Sequence, residues 1–105
     1  MNILRLFFGT DINKEVEAVK KIPGAVLLDV RSENEFAGGH IPGSINIPVE
    51  KISEAEHIIR DHNTPVFVYC LRGTRSRRAA GALKKLGYQQ VKSIGGIAAY
   101  KGETE

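Results

Sequence analysis

Cys70 is the only cysteine in the chain, and the residues after it are not those of an ordinary core position. Leu71-Arg72-Gly73-Thr74-Arg75-Ser76 follows directly, then Arg77 and Arg78, so four arginines and a glycine fall within eight residues of the thiol. A lone cysteine is by default a small buried hydrophobe. A core cysteine, however, needs neither a bend nor a cluster of guanidinium groups. The pattern predicts a nucleophile inside an anion cradle. The thiolate is the reactive form of cysteine. A free thiol has a pKa of about 8.5, which a helix start and nearby arginines can lower to roughly 3.5–7.5.

The flanking elements must put the thiol there. Val66-Phe67-Val68-Tyr69, after Pro65, is a short apolar run and predicts a buried strand. From Ser76 onward, Ala79, Ala82, Leu83 and Leu86 recur at helical spacing, with Gly87 as the stop. Cys70 then lies at a strand's carboxyl end over the start of a helix. Unpaired N–H groups and the positive end of the helix dipole collect at such a place.

The rest of the chain repeats this alternation. Ile3–Phe8 is a candidate first strand. Asp11 is a candidate N-cap for a helix with Ile12, Val16 and Val19 on one face, ended by Ile22-Pro23-Gly24. Ala25–Val30 is apolar enough for a strand covered on both faces. Ser32–Glu35 and Ser53–Glu56 both have the capping-box spacing. Ser44–Ile47 and Val91–Ile94 predict short strands, and Ile52, Ala55 and Ile59 the buried side of a helix. Gly81 lies inside the predicted Ser76–Leu86 helix, where close packing on the sheet is the expected compensation. Strands alternating with helices over residues 1–105 predict one α/β domain with a mainly parallel sheet of about five strands. Ligands of such folds bind beyond the carboxyl ends of the strands, where Cys70 is placed.

Composition narrows the classes. Hydrophobic residues at 42% and charged residues at 26% describe a globular domain. One cysteine excludes an intramolecular disulfide framework and fits a reducing compartment. The Ile3–Phe8 patch contains Arg5 and is far too short to span a bilayer. No signal-peptide cleavage pattern follows it, so the cytoplasm is the expected location. The basic cluster has no interleaved aromatics for base stacking, which argues for a small anion rather than nucleic acid. With one cysteine and scattered histidines, no metal-ligand spacing exists.

Three stretches together resemble the single-domain rhodaneses, a sulfurtransferase family. Leu28-Asp29-Val30-Arg31 through Glu35-Phe36, with Gly39-His40-Ile41-Pro42-Gly43-Ser44-Ile45-Asn46-Ile47-Pro48, is similar to the family's first signature. Val68-Tyr69-Cys70-Leu71-Arg72-Gly73-Thr74-Arg75-Ser76 resembles its active-site loop. Ala79 to Gly87, then Val91 and Gly95-Gly96, resembles the segment after it. The family often has a tryptophan after the paired glycines, where this chain has Tyr100.

The resemblance implies a three-layer fold with helices flanking the sheet, and sulfur transfer through a persulfide on Cys70. A sulfane donor such as thiosulfate, or a persulfide, would give sulfur to Cys70. Cyanide in an assay, or a protein thiol in the cell, would accept it. The loop residues Leu71, Arg72, Gly73, Thr74, Arg75 and Ser76 would bind the donor, with inward amides around the outer sulfur and Arg75 and Arg72 attracting the anion. Asp29 and Arg31 are expected to be a structural pair, and His40 to tie its turn. His57 and His62 are expected to be solvated. No cofactor or metal is implied. Two other readings share this fold: a binding module, which usually loses the cysteine, and a cysteine phosphatase. Phosphatase loops have one more residue between cysteine and arginine. Four separate Cys70 from Arg75 here, and the phosphatase position holds Ser76.

Overall fold

The computed structural model describes residues 10–105. Helix α1 (Ile12–Lys20) starts where Asp11 accepts a hydrogen bond from the Asn13 amide, and it buries Ile12 and Val16. Strand β1 (Val26–Asp29) is followed by a short helix, α2 (Glu33–Ala37). Ser32 and Glu35 form the expected reciprocal capping box at its start. Strand β2 (Ile45–Asn46) leads to a 3-10 segment, Val49–Glu54, and helix α3 (Ala55–Ile58). Strand β3 (Val66–Cys70), helix α4 (Thr74–Lys85), strand β4 (Val91–Gly96) and a 3-10 turn, Ile97–Ala99, complete the described chain.

All four strands are parallel, in the order β2-β1-β3-β4. This is the expected α/β class with one fewer strand than the five anticipated; the candidate strand Ile3–Phe8 lies outside the described residues. The sheet separates two apolar layers. Val66, Val68 and Cys70 face Ala79 and Leu83 of α4 together with Ala55 and Ile59, while Leu27, Tyr69 and Ile94 face Ile12 and Val16 of α1. The alternation follows from the period of two along a strand. Coverage on both faces explains why β3, and β1 up to the buried Asp29 at its end, are apolar.

Helix α4 ends in a Schellman motif. The Tyr88 amide donates to the Leu83 carbonyl and the Gly87 amide to the Lys84 carbonyl, with Gly87 at φ +107°. Tyr88 and Leu83 share the α4-side core, the apolar contact that accompanies this cap.

Three expectations need correction. Ser53 does not cap a helix: the chain is in 3-10 conformation up to Glu54, and α3 starts without a side-chain cap. His62 is half-buried rather than solvated, with Nε2 2.7 Å from a Glu56 carboxylate oxygen and its ring tilted against Tyr88. Gly81 is not required by packing, because a Cβ built there meets nothing within 4 Å. Gly81→Ala is therefore expected to stabilise the protein by about 0.5–1 kcal/mol, the entropic penalty of glycine in a helix. Thermal unfolding checks this, and a lowered Tm would contradict it.

Candidate active site around Cys70

Register decides which way the thiol points. Cys70 shares a face with Val66 and Val68, so its side chain turns toward α4 and away from Tyr69's layer. The chain then reverses through Leu71-Arg72-Gly73. Gly73, at φ +103°, is the N-cap of α4 and has no side chain to cap it. The sulfur does that work: Cys70 Sγ accepts the Gly73 amide at 2.9 Å and the Ser76 amide at 3.3 Å. An N-cap side-chain oxygen normally takes the amide of the third helical residue. Here a thiol from the preceding strand replaces it. Burial pushes the Cys70 pKa up, but the amides of Ser76, Gly73 and Arg72 outweigh it and leave the thiol below its ordinary range. The hydrogen bonds favour the thiolate as acceptor.

The predicted loop residues take different places. Cys70, Leu71, Arg72, Thr74 and Arg75 line a cavity of about 200 Å3. Cys70 itself is 1% exposed. Arg72 and Thr74 are exposed. Gly73 and Ser76 are buried. Ser76 gives its amide to the sulfur, while its hydroxyl donates to the Gly73 carbonyl at 3.0 Å and lies 2.7 Å from Ser93 Oγ of β4. The Ser76 side chain thus holds the loop to the sheet. The amides of Thr74 and Arg75 open the same helix, where no intrahelical acceptor exists. Larger depressions of about 240 and 380 Å3 lie elsewhere, lined by residues such as Pro65 and Val91 or Val19 and Pro42, and neither contains a cysteine or histidine.

Arg75, expected to attract the donor anion, is paired with a carboxylate. Its guanidinium donates to both oxygens of Glu35, at 2.7 and 3.0 Å. Glu35 also accepts the Ser32 amide in the capping box. Hydrogen bonding to Arg75 is the main cause that holds the Glu35 carboxyl down at about 2. Glu35 is therefore ionised wherever Cys70 is. In the sequence it is a capping-box residue within the first rhodanese-like stretch; its partner is forty positions away, and nothing local announces the pair.

The remaining candidates build the frame. Asp29 and Arg31 form a buried pair, with Arg31 Nη2 2.7 Å from Asp29 and 2.8 Å from the Gly39 carbonyl. Asn46 donates to the carbonyls of Asp29 and Arg31. His40 stacks on Phe36 at 3.7 Å between centroids, with Nδ1 2.9 Å from the Phe36 carbonyl. Both results match the structural roles expected of them. His57 is exposed. Tyr100, in place of the familiar tryptophan, packs with the α1-side core and donates its hydroxyl to the Glu103 carbonyl.

The floor of the loop is Gly96, which pairs with Cys70 across β3 and β4. A Cβ on Gly96 would collide with the backbone of Leu71 and Arg72. Backbone at that distance cannot rotate aside, so Gly96→Ala is expected to cost about 1–3 kcal/mol, the usual range for overpacking. It should also slow Cys70 alkylation near neutral pH, because the loop that presents the amides must shift. Urea unfolding and an alkylation time course read the two effects. Unchanged values in both would show that the loop is not seated on Gly96.

The comparisons agree with this architecture. The rhodanese-like domain profile matches residues 13–103. The Bacillus subtilis protein YqhL is 43% identical over 72 residues, covering 69% of this chain and 56% of that protein. This chain thus spans about half the length of that relative. Thiosulfate sulfurtransferase PspE of Escherichia coli is 35% identical over 71 residues, 67% of this chain and 68% of that one. A solved rhodanese with anions from E. coli superposes with a TM-score of 0.71 at 30% identity, covering 77% of this chain and 96% of that one. With its parallel sheet, its strand-end cysteine and this match along nearly all of the described residues, the chain belongs to the rhodanese-like domain family.

Proposed function

We propose that the protein is a sulfurtransferase that carries sulfane sulfur as a persulfide on Cys70. The observation that carries this reading is the thiol at the start of α4, with the Gly73 and Ser76 amides on its sulfur and a small cavity above it. In the first half-reaction the Cys70 thiolate attacks the outer sulfur of thiosulfate. The S–S bond of the donor breaks, its electron pair leaves with sulfite, and Cys70 holds a persulfide. In the second, cyanide or a thiolate attacks the outer sulfur of that persulfide, and the pair returns to Cys70. Covalent catalysis divides one difficult displacement into two. Arg72, which is exposed and lines the cavity, would attract the anionic donor, and the amides that open α4 would stabilise negative charge on the outer sulfur. The short loop between Cys70 and Arg75 suits a sulfur atom better than a tetrahedral phosphate.

The test combines reactivity with retention of sulfur. Because the thiol pKa is lowered, the thiolate fraction at pH 7 rises above the few per cent of an unperturbed thiol. Iodoacetamide is expected to alkylate Cys70 rapidly at neutral pH, with a rate profile whose midpoint lies below about 8.5. Thiosulfate should protect. The protection should survive gel filtration, coincide with a mass gain of one sulfur atom, and vanish with cyanide as thiocyanate forms. A phosphatase would instead show protection by phosphate that is lost on gel filtration. A midpoint at or above the ordinary thiol value, without lasting protection, would overturn the reading.

A further inference from the structure

Four cations of α4 take no part in the site described above. Arg77, Arg78, Lys84 and Lys85 are all exposed, and with the exposed Thr74 and Gly81 they follow one side of the helix at spacings of three and four. Thr74, at the start of this line, and the exposed Arg72 before it both line the cavity that contains Cys70. Among the described residues none of these five cations lies within ion-pair distance of a carboxylate. The helix contains no acidic residue, in its first turn or elsewhere.

Helix physics does not account for all of this charge. Lys84 and Lys85 complement the negative end of the dipole, but the opening turns favour anions, and there the chain has Arg75, Arg77 and Arg78. An exposed helix kept soluble by its charges ordinarily interleaves the two signs. This one carries a single sign, and the stripe leads to the nucleophile.

We propose that this face of α4 docks an acidic protein that presents a thiol to Cys70. The inference rests on the sulfurtransferase reading above. The step at the docked partner balances without an oxidant. The partner's thiolate attacks the outer sulfur of the Cys70 persulfide, the bond between the two sulfurs breaks, and its electron pair returns to Cys70 as thiolate. The partner departs with the persulfide. Several features favour a protein over a nucleic acid. The face carries only Thr, Gly, Arg and Lys, with no aromatic for stacking. The acceptor must also be a nucleophile that enters a cavity of about 200 Å3. Twelve helical residues extend about 18 Å, a footprint for a brief, salt-sensitive encounter rather than a permanent complex. A carrier that must leave after each transfer needs that kind of contact.

The probes are three cysteine-containing peptides of one length, flanked by Asp and Glu, by Asn and Gln, or by Lys. The proteins are the wild type and Arg77→Ala/Arg78→Ala/Lys84→Ala/Lys85→Ala, with Lys84→Gln/Lys85→Gln as a milder variant. At low salt the acidic peptide should take sulfur from persulfidated wild type about tenfold faster than the neutral peptide, an advantage that falls in concentrated salt. The fourfold variant should lose that advantage, and the milder one part of it, while both keep transfer to cyanide within about twofold of wild type, since docking charge acts on encounter rather than chemistry. Equal rates for acidic and neutral peptides would overturn the proposal, as would an advantage that survives in the fourfold variant. Displacement of the acidic peptide by a lower concentration of a single-stranded RNA oligonucleotide, or of anionic phospholipid vesicles, would overturn it in favour of those surfaces. Fluorescence anisotropy of the labelled peptides separates this inference from the reading beneath it. If cyanide yields no thiocyanate, the sulfurtransferase reading fails. Charge-selective binding that disappears in the fourfold variant still supports the docking face, and binding without charge preference overturns it.

Discussion

Cys70→Ser is expected to reduce sulfur transfer to the uncatalysed background and leave the protein folded. The two halves of this result have separate physical causes. A serine hydroxyl is not ionised at neutral pH and cannot hold a transferable sulfane sulfur, so both half-reactions stop. The fold survives because the hydroxyl oxygen is a good acceptor for the two amides that now meet Sγ, those of Gly73 and Ser76. Side-chain oxygens perform this capping task in most helices. The site is buried, with Cys70 1% exposed, and the substitution makes it slightly smaller, so the cost should stay within the usual ~0.5–3 kcal/mol of a point mutation. Thiocyanate formation and circular dichroism on the same preparation measure the two halves. Transfer above background by a folded Cys70→Ser protein would refute the assignment of the nucleophile.

Arg75→Ala is expected to lower kcat/KM for thiosulfate by more than the loss of one cation would imply. Removing the guanidinium deletes a charge-assisted partner of the kind that contributes about 1.5–3 kcal/mol, which is on the order of tenfold to a hundredfold in rate. It also uncovers Glu35. That carboxylate, now neutralised at 2.7 and 3.0 Å, would become an unpaired negative charge near the thiolate and repel a dianionic donor. An uncharged persulfide donor should lose much less. The double variant Glu35→Gln/Arg75→Ala should recover part of the thiosulfate activity, because the repelling charge is gone. Two residues in contact are expected to behave non-additively in this way. Both side chains are 32% exposed, so solvent screens the pair and its own contribution to stability should remain near ~1 kcal/mol or below. Equal losses for both donors, with no recovery in the double variant, would show that Arg75 works through loop shape alone.

Much of this molecule was legible in the chain because the signals are local. The apolar run Val66–Tyr69, the helical spacing of Ala79, Ala82 and Leu83 and the Gly87 stop placed a strand, a turn and a helix around Cys70, and the structure contains them as β3, α4 and a Schellman cap. The Ser32–Glu35 capping box formed because both of its hydrogen bonds close within four residues. The same spacing at Ser53–Glu56 failed, since the segment after Pro48 packs as a 3-10 turn against α4 and the α-helix starts only at Ala55. Pairing between distant segments had no local trace. Residue type and spacing alone point to a donor-attracting Arg75 and to a Gly81 pressed on the sheet. Only the tertiary fold places Glu35 against the first and open solvent beside the second.

The amino-acid sequence by itself singled out the candidate nucleophile and determined its place at a strand end and the class of fold, because residue type and periodicity act over a few neighbours. The tertiary structure decided which face of β3 the thiol shares, which amides reach it, that Gly96 lies beneath the loop and that Glu35 accompanies Arg75. Those outcomes depend on strand register and on the distance of closest approach between segments far apart in the chain, and both are set only when the sheet closes.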